Sequence, residues 1–177
     1  GLKVRINMVA LKDLNSHEVP AMAEYCAANG HDLAFIETMP LGDGVSGRTE
    51  QFIALEDFIA PLRQSNDIIP ISHRTAGPAR YFQVEPMGLR IGLITPMTHN
   101  FCGDCNRLRL GSDGKVHMCL GSEFHVDFKD AIRAGGLDAV DRLLQKALRL
   151  KPERHDFERQ LEDRDLRLHR HMNATGG

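Results

Sequence analysis

Cys102, Cys105 and Cys119 are the residues best equipped for chemistry in this sequence. Two residues separate the first pair, and thirteen separate Cys105 from Cys119. Between them Arg107, Leu108, Arg109 and Leu110 alternate charged and apolar, Ser112-Asp113-Gly114 spells a tight turn, and Val116 to Cys119 leads back. That pattern predicts a β-hairpin able to return Cys119 to the side of the CxxC pair, so that three sulfurs converge on one metal centre. Side chains alternate along a strand, which places Cys105, Arg107 and Arg109 on one face. Thiolates and guanidinium groups facing the same space suit a metal site that meets an anionic ligand.

The spacing leaves the metal open. A structural zinc ion takes four protein ligands. Only three cysteines cluster here, so zinc would need His99 or His117 as the fourth. A [4Fe–4S] cluster normally takes four thiolates, and three would leave one iron for a non-protein ligand. A Cys102–Cys105 disulfide is a third alternative, although nothing indicates secretion. Cys26 is remote in sequence, on the apolar side of an expected helix, and reads as a packing residue.

The elements that must position these groups can be read along the chain. Lys3 to Leu11 alternates as a strand. Asn15 or Ser16 can cap a helix running from His17 to about Ala28, which Asn29-Gly30 stops. Leu33 to Met39 is a second strand. Strand, helix and strand at this spacing form a parallel crossover unit, which fits the last part of an α/β barrel. Functional groups in such barrels lie at the C-terminal ends of the strands, which would gather Arg5, Asn7, Glu37 and Met39 at one rim. Gly42 to Gly47 is a glycine-rich turn without the Gly-Lys-Ser/Thr of a P-loop. A short amphipathic helix is expected over 55–64, paired strands over 81–84 and 89–95, and helices over 126–134 and 137–150, parted by Gly135-Gly136. Beyond Pro152 the chain is highly charged and reads as a tail with little core of its own. The expected organisation is α/β: the last βαβ portion of an incomplete (β/α) barrel over 1–66, an α+β cluster-binding domain over 67–152, and a charged tail over 153–177.

The run GLRIGLITPMTHNFCGDCNRLRLGSDGKVHMCLG resembles the C-terminal cluster motif of the GTP 3′,8-cyclases, radical-SAM enzymes of molybdenum-cofactor biosynthesis. KVRINMVALKDLNSHEV, FIETMP and the terminal MNATGG resemble other parts of the same family, so the likeness covers essentially the whole chain. The resemblance implies that Cys102, Cys105 and Cys119 hold a [4Fe–4S] cluster with an open iron. It implies a lyase that converts GTP to (8S)-3′,8-cyclo-7,8-dihydroguanosine 5′-triphosphate with a radical derived from S-adenosylmethionine (SAM). Arg107, Leu108 and Arg109 fall on the family's GTP-contacting motif. Arg5 falls where the family has a GTP-binding lysine, and Lys3 shares its strand face. Met39 matches a SAM-contacting methionine. Gly176 and Gly177 match a tail that reaches the catalytic site, although Thr175 stands where the family often has Ile.

One motif of the family has no counterpart. No CxxxCxxC run is present to hold a SAM-cleaving cluster. The resemblance therefore implies a C-terminal part whose SAM and second cluster are bound mainly by an N-terminal half, and which is inactive alone. The formal charge of −2 over 177 residues gives no electrostatic case for nucleic acid or membrane as partner. GTP is the expected partner, and homodimerisation is left open. Four cysteines without secretory features suit a reducing cytoplasm. The reading from a different class is a non-catalytic, zinc-stabilised binding module.

Overall fold

The computed structural model describes residues 1–42, 50–157 and 159. The described residues form a mixed α/β structure with two compact units, one built from 1–39 and 50–101, the other from 40–42 and 102 onwards. Among the described residues no helix is long and apolar enough to cross a membrane.

The first unit is a five-stranded mixed sheet in the order β1-β2-β5-β4-β3. Strand β1 (Arg5–Ala10) and β2 (Asp32–Glu37) pair in parallel, joined by helix α1 (Val19–Ala28). This is the expected crossover unit. Strand β5 (Leu89–Ile94) adds to β2 in parallel; β4 (Arg80–Glu85) and β3 (Asp67–Pro70) follow antiparallel. The sheet runs straight through the expected domain boundary at residue 66. Strand β3 has no counterpart in the expected elements: it is a four-residue edge ending in proline, where no further ladder donor is needed.

One face of this sheet is the core. Leu33 and Phe35 of β2, Ile91 and Leu93 of β5 and Val84 of β4 pack on Val19, Ala23 and Cys26, which recur on one side of α1. Helices α2 (Leu55–Phe58) and α3 (Ala60–Arg63) complete it with Leu55, Phe58, Ile59 and Leu62. Those four keep a single helical stripe, but the expected 55–64 helix is broken at Ile59, because Pro61 has no N–H to continue the ladder. Asn15 does not cap α1. Its Oδ1 accepts the Leu11 N–H at 3.0 Å and its Nδ2 donates to the Val9 carbonyl at 2.9 Å, folding the chain back at the end of β1. The stop is as expected, with Gly30 at φ +65° after Asn29.

The second unit is a three-stranded antiparallel sheet, β6 (Arg109–Leu110), β7 (Lys115–His117) and β8 (His125–Asp127), covered by helix α4 (Gly136–Arg149). Val116, Met118, Val126 and Phe128 on the sheet side meet Val140, Leu143, Leu144 and Ala147 from α4. The turn at 112–114 forms as expected, with Gly114 at φ +79° and its N–H bonded to the Gly111 carbonyl at 3.1 Å. One expectation is corrected. Residues 125–127 are strand, not the start of a helix: Phe124, Val126 and Phe128 alternate, and period two wins. In the segment after Pro152, Phe157 is fully buried. A Cβ on Gly121 would stand 2.7 Å from His155 Cβ and 2.9 Å from the Phe157 ring, so this glycine makes room for the returning segment.

Candidate functional site

The hairpin of the second unit carries the chemistry. Residues 102–104 form a single 3₁₀ turn in which the Cys105 N–H bonds the Cys102 carbonyl at 3.1 Å. Regular strand begins only at Arg109, so Cys105 and Arg107 are not on a common strand with Arg109 as expected. The arginine side of the hairpin arises differently. Val116 and Met118 point into the core, so by alternation Arg109, its register partner His117, and His125 beyond it belong to the other face. The His117 and His125 rings lie 5.2 Å apart across β7 and β8. Leu108 packs against the core side, which gives it a structural task within the arginine motif. Arg107 and Arg109 are both half-buried.

Cys102, Cys105 and Cys119 are all half-buried free thiols. They lie near enough to interact electrostatically. Burial pushes the Cys119 thiol above its ordinary value; the Gly121 backbone N–H pulls it down, the Cys102 charge pushes it up, Lys151 pulls it down and the Cys105 charge pushes it up. Negative charge on its two neighbours thus opposes ionisation of Cys119, and a cationic group beside it relieves that opposition. Among the described residues, however, no three His, Cys, Asp or Glu side chains are gathered as the ligands of a single metal ion. A tetrahedral zinc site requires sulfurs only about 3.8 Å apart. A four-iron cluster spreads its ligands over separate irons and accepts a wider set. The donor chemistry, three soft thiols beside an ammonium group, suits a thiolate-held metal centre. His99, the other offered zinc ligand, sits in the first unit with its Nδ1 at 3.4 Å from Thr98 Oγ1.

Lys151, just past the end of α4, was not among the expected residues. Its Nζ donates to the Met118 carbonyl at 2.8 Å and the Arg107 carbonyl at 3.1 Å, and reaches Cys105 Sγ at 3.7 Å. One lysine beside a proline after an amphipathic helix gives little sequence signal, since such residues usually end in solvent.

The residues expected at one rim of the first unit are not gathered there. Arg5 opens β1 level with Asp32, whereas Glu37 closes β2 level with Ala10. Five residues of strand, about 16 Å, separate those levels. The faces differ too: Glu37 shares the parity of buried Leu33 and Phe35, while Arg5 and Asn7 are exposed on the opposite side. Arg5 Nη1 donates to the Tyr81 hydroxyl at 3.0 Å, and Thr75 Oγ1 lies 3.1 Å from the same oxygen. The tyrosine's register row runs from β4 through Gly92 and Ala34 to Asn7, on the same face of β1 as Arg5; a Cβ on Gly92 would press the ring at 3.3 Å. Fully buried Glu37 accepts the Met97 and Thr98 N–H groups at 2.9 and 3.0 Å, and a short bond from the Thr98 hydroxyl. It thereby fixes the turn after β5. Its position on an apolar face was the signal that could have found it. Met39 is half-buried two residues beyond β2, Lys3 is exposed, and Cys26 is core, as expected, with its thiol pushed up by burial. Of the glycine-rich turn expected over Gly42 to Gly47, residues 43–47 lie outside the described residues, as do the terminal Gly176 and Gly177.

The fold and the hairpin together define a mixed α/β protein with a three-cysteine module. Residues 31–157 match the family Molybdenum Cofactor Synthesis C, and the chain belongs to that family. It is 44% identical over 178 residues to a GTP 3′,8-cyclase of Erythrobacter litoralis (strain HTCC2594), covering all of this chain and 53% of the relative. To the GTP 3′,8-cyclase of Sinorhizobium medicae (strain WSM419) it is 44% identical over 178 residues, all of this chain and 51% of the relative. To that of Paracoccus denitrificans (strain Pd 1222) it is 42% identical over 179 residues, all of this chain and 52% of the relative. The resemblance read from the hairpin motif thus extends along the whole chain, which spans about half the length of the curated relatives it matches.

Proposed function

We propose that this chain is the GTP-binding part of a GTP 3′,8-cyclase, a lyase that forms (8S)-3′,8-cyclo-7,8-dihydroguanosine 5′-triphosphate in molybdenum-cofactor biosynthesis. The observation that carries the proposal is the three-thiol hairpin: Cys102, Cys105 and Cys119 lie within electrostatic reach of one another beside the Lys151 ammonium group, in the segment that bears the family likeness. Those three thiolates would hold a [4Fe–4S] cluster. When bound, the cluster would supply one iron without a protein ligand as a place for guanine.

The chain's own residues bind and orient. Arg107 and Arg109 offer planar forks suited to two phosphate oxygens each. Leu108, packed between them against the core, fixes their backbone. Arg5 spends one of its five N–H donors on Tyr81, leaving the others for a triphosphate. In this reading Met39 contacts SAM, and Gly176 and Gly177 enter the catalytic site, where a backbone without Cβ can approach closely. SAM cleavage, with its own cluster, belongs to a part of the enzyme outside this chain. The contribution of the residues here is proximity and orientation.

Anaerobic reconstitution with iron and sulfide, followed by visible absorption and metal analysis, tests the proposal. Brown protein with four irons and four sulfides, whose spectrum changes on adding GTP, is the expected result. Colourless protein holding one zinc and no sulfide would overturn it.

A further inference from the structure

We infer that Lys151 is a positioning and charge-compensating residue of the three-cysteine site, fastening the backbone beside two thiols and stabilising negative charge on the sulfurs and on what they hold. This rests on the cluster reading given above. An ammonium group has three N–H donors. Here the three directions are taken by the Met118 carbonyl, the Arg107 carbonyl and Cys105 Sγ. Met118 immediately precedes Cys119, and Arg107 lies two residues after Cys105. One side chain therefore ties together the two chain segments that bring the thiols to the site.

A lysine at a helix end can serve the last carbonyls of its own helix. Lys151 does not: both its carbonyl partners belong to the hairpin. The helix supplies the anchorage instead. Val140, Leu143, Leu144 and Ala147 hold α4 against the sheet, and the Lys151 N–H bonds the Leu148 carbonyl at 3.3 Å. The ammonium group is thus delivered to the sulfurs by a packed element rather than by a free chain end.

Hydrogen bonds and positive charge at cluster sulfurs favour the reduced state, because reduction adds negative charge. Removing this donor should make the cluster harder to reduce. In the anaerobically reconstituted chain, Lys151→Met is expected to shift the one-electron reduction equilibrium about tenfold toward the oxidised form, about 59 mV more negative. Lys151→Arg keeps the charge and should recover most of that shift. The readouts are an EPR-monitored redox titration, the iron and sulfide content, and thermal melting of the cluster-free chain.

A wild-type potential in Lys151→Met overturns the inference, even if melting is lowered, since a merely structural clip would move melting alone. If Lys151→Met retains no cluster, the potential is read in Lys151→Gln, whose amide can still serve the carbonyls without the charge; a wild-type potential there overturns the inference equally. Failure of the wild-type chain to take up iron and sulfide would defeat the cluster reading itself and this inference with it. Wild-type uptake with an insensitive potential would defeat this inference alone.

Discussion

The two units are stabilised by different means. The sheet of the first unit buries Leu33, Phe35, Leu55, Phe58, Ile59, Leu62, Ile91 and Leu93 almost completely on one face, under three helices. Among the described residues the hairpin unit has strands of two or three residues and a core cluster of five buried side chains, one of them alanine. Its remaining order comes from particular bonds: the Lys151 bridge, and the Phe128 N–H on the Gly114 carbonyl at 2.9 Å. Apolar area scales with size, so a small unit with little of it leans on specific bonds and ligands. The unit with the stronger core keeps its apolar face away from Arg5 and Asn7. The unit with the weaker core carries Cys102, Cys105 and Cys119.

The largest test of that contrast removes the ligands. Cys102→Ser, Cys105→Ser and Cys119→Ser should each reduce iron per reconstituted chain to near zero, while Cys26→Ala retains it. Hydrogen exchange should then show protection lost over 105–128 and kept over 33–37 and 89–94, because metal binding stabilises only the unit that holds the metal. Equal iron loss in all four variants would mean that the ligand set is wrong. Equal loss of protection in both units would dissolve the contrast.

Next in size is a cut into the stronger core. Phe58 is fully buried and meets Phe35 edge-on at 5.6 Å between ring centres. Phe58→Ala should cost about 3–5 kcal/mol in urea unfolding, the usual loss for a large aromatic in a packed interior. A cost below about 1 kcal/mol would show that this face is loosely packed. Gly121→Ala is the smaller counterpart in the hairpin unit. Its methyl must displace His155 and Phe157, at about 1–3 kcal/mol for overpacking. Because Gly121 also supports Cys119 through its backbone N–H, iron retention should fall with it. Unchanged melting and iron content would mean that the 155–157 segment yields freely.

What was legible in the sequence follows the same division. Strong periodicity announced β1, α1, β2 and α4 within a residue or two, and the turn residues at 112–114 announced the hairpin. Errors arose where a local rule met a competing one. Alternation at 124–128 was overridden by helical expectation, proline split the 55–64 helix, and a charged composition hid the buried Phe157. The site was half legible. Spacing singled out the thiols, but Lys151 is 32 residues beyond Cys119 and acts through carbonyls, which have no sequence signature. Glu37 and Tyr81 similarly owe their roles to register: one falls on an apolar face at a strand end, the other reaches over Gly92.

The smallest expected effect concerns Cys26, the thiol that belongs to the first unit. It is fully buried in the core, and burial raises its pKa. A raised thiol pKa means that the fold keeps a proton at a pH where the unfolded chain has begun to lose it. The unfolded state then binds fewer protons than the native state, so stability falls as pH rises. The contribution is fully present below the ordinary thiol pKa of about 8.5 and declines above it. Urea midpoints of the cluster-free chain and of Cys26→Ala, measured from pH 7 to 10, separate this from everything else that titrates. The alanine variant loses a buried sulfur and should start lower by a fixed amount. Above about pH 8.5 the gap should narrow, because the wild-type chain loses a stabilisation that alanine does not have. The other three thiols are common to both proteins and cancel in the comparison. A gap that stays constant to pH 10 would mean that Cys26 ionises in the fold as readily as in the unfolded chain, and that the core of the first unit is more open to water than its packing indicates.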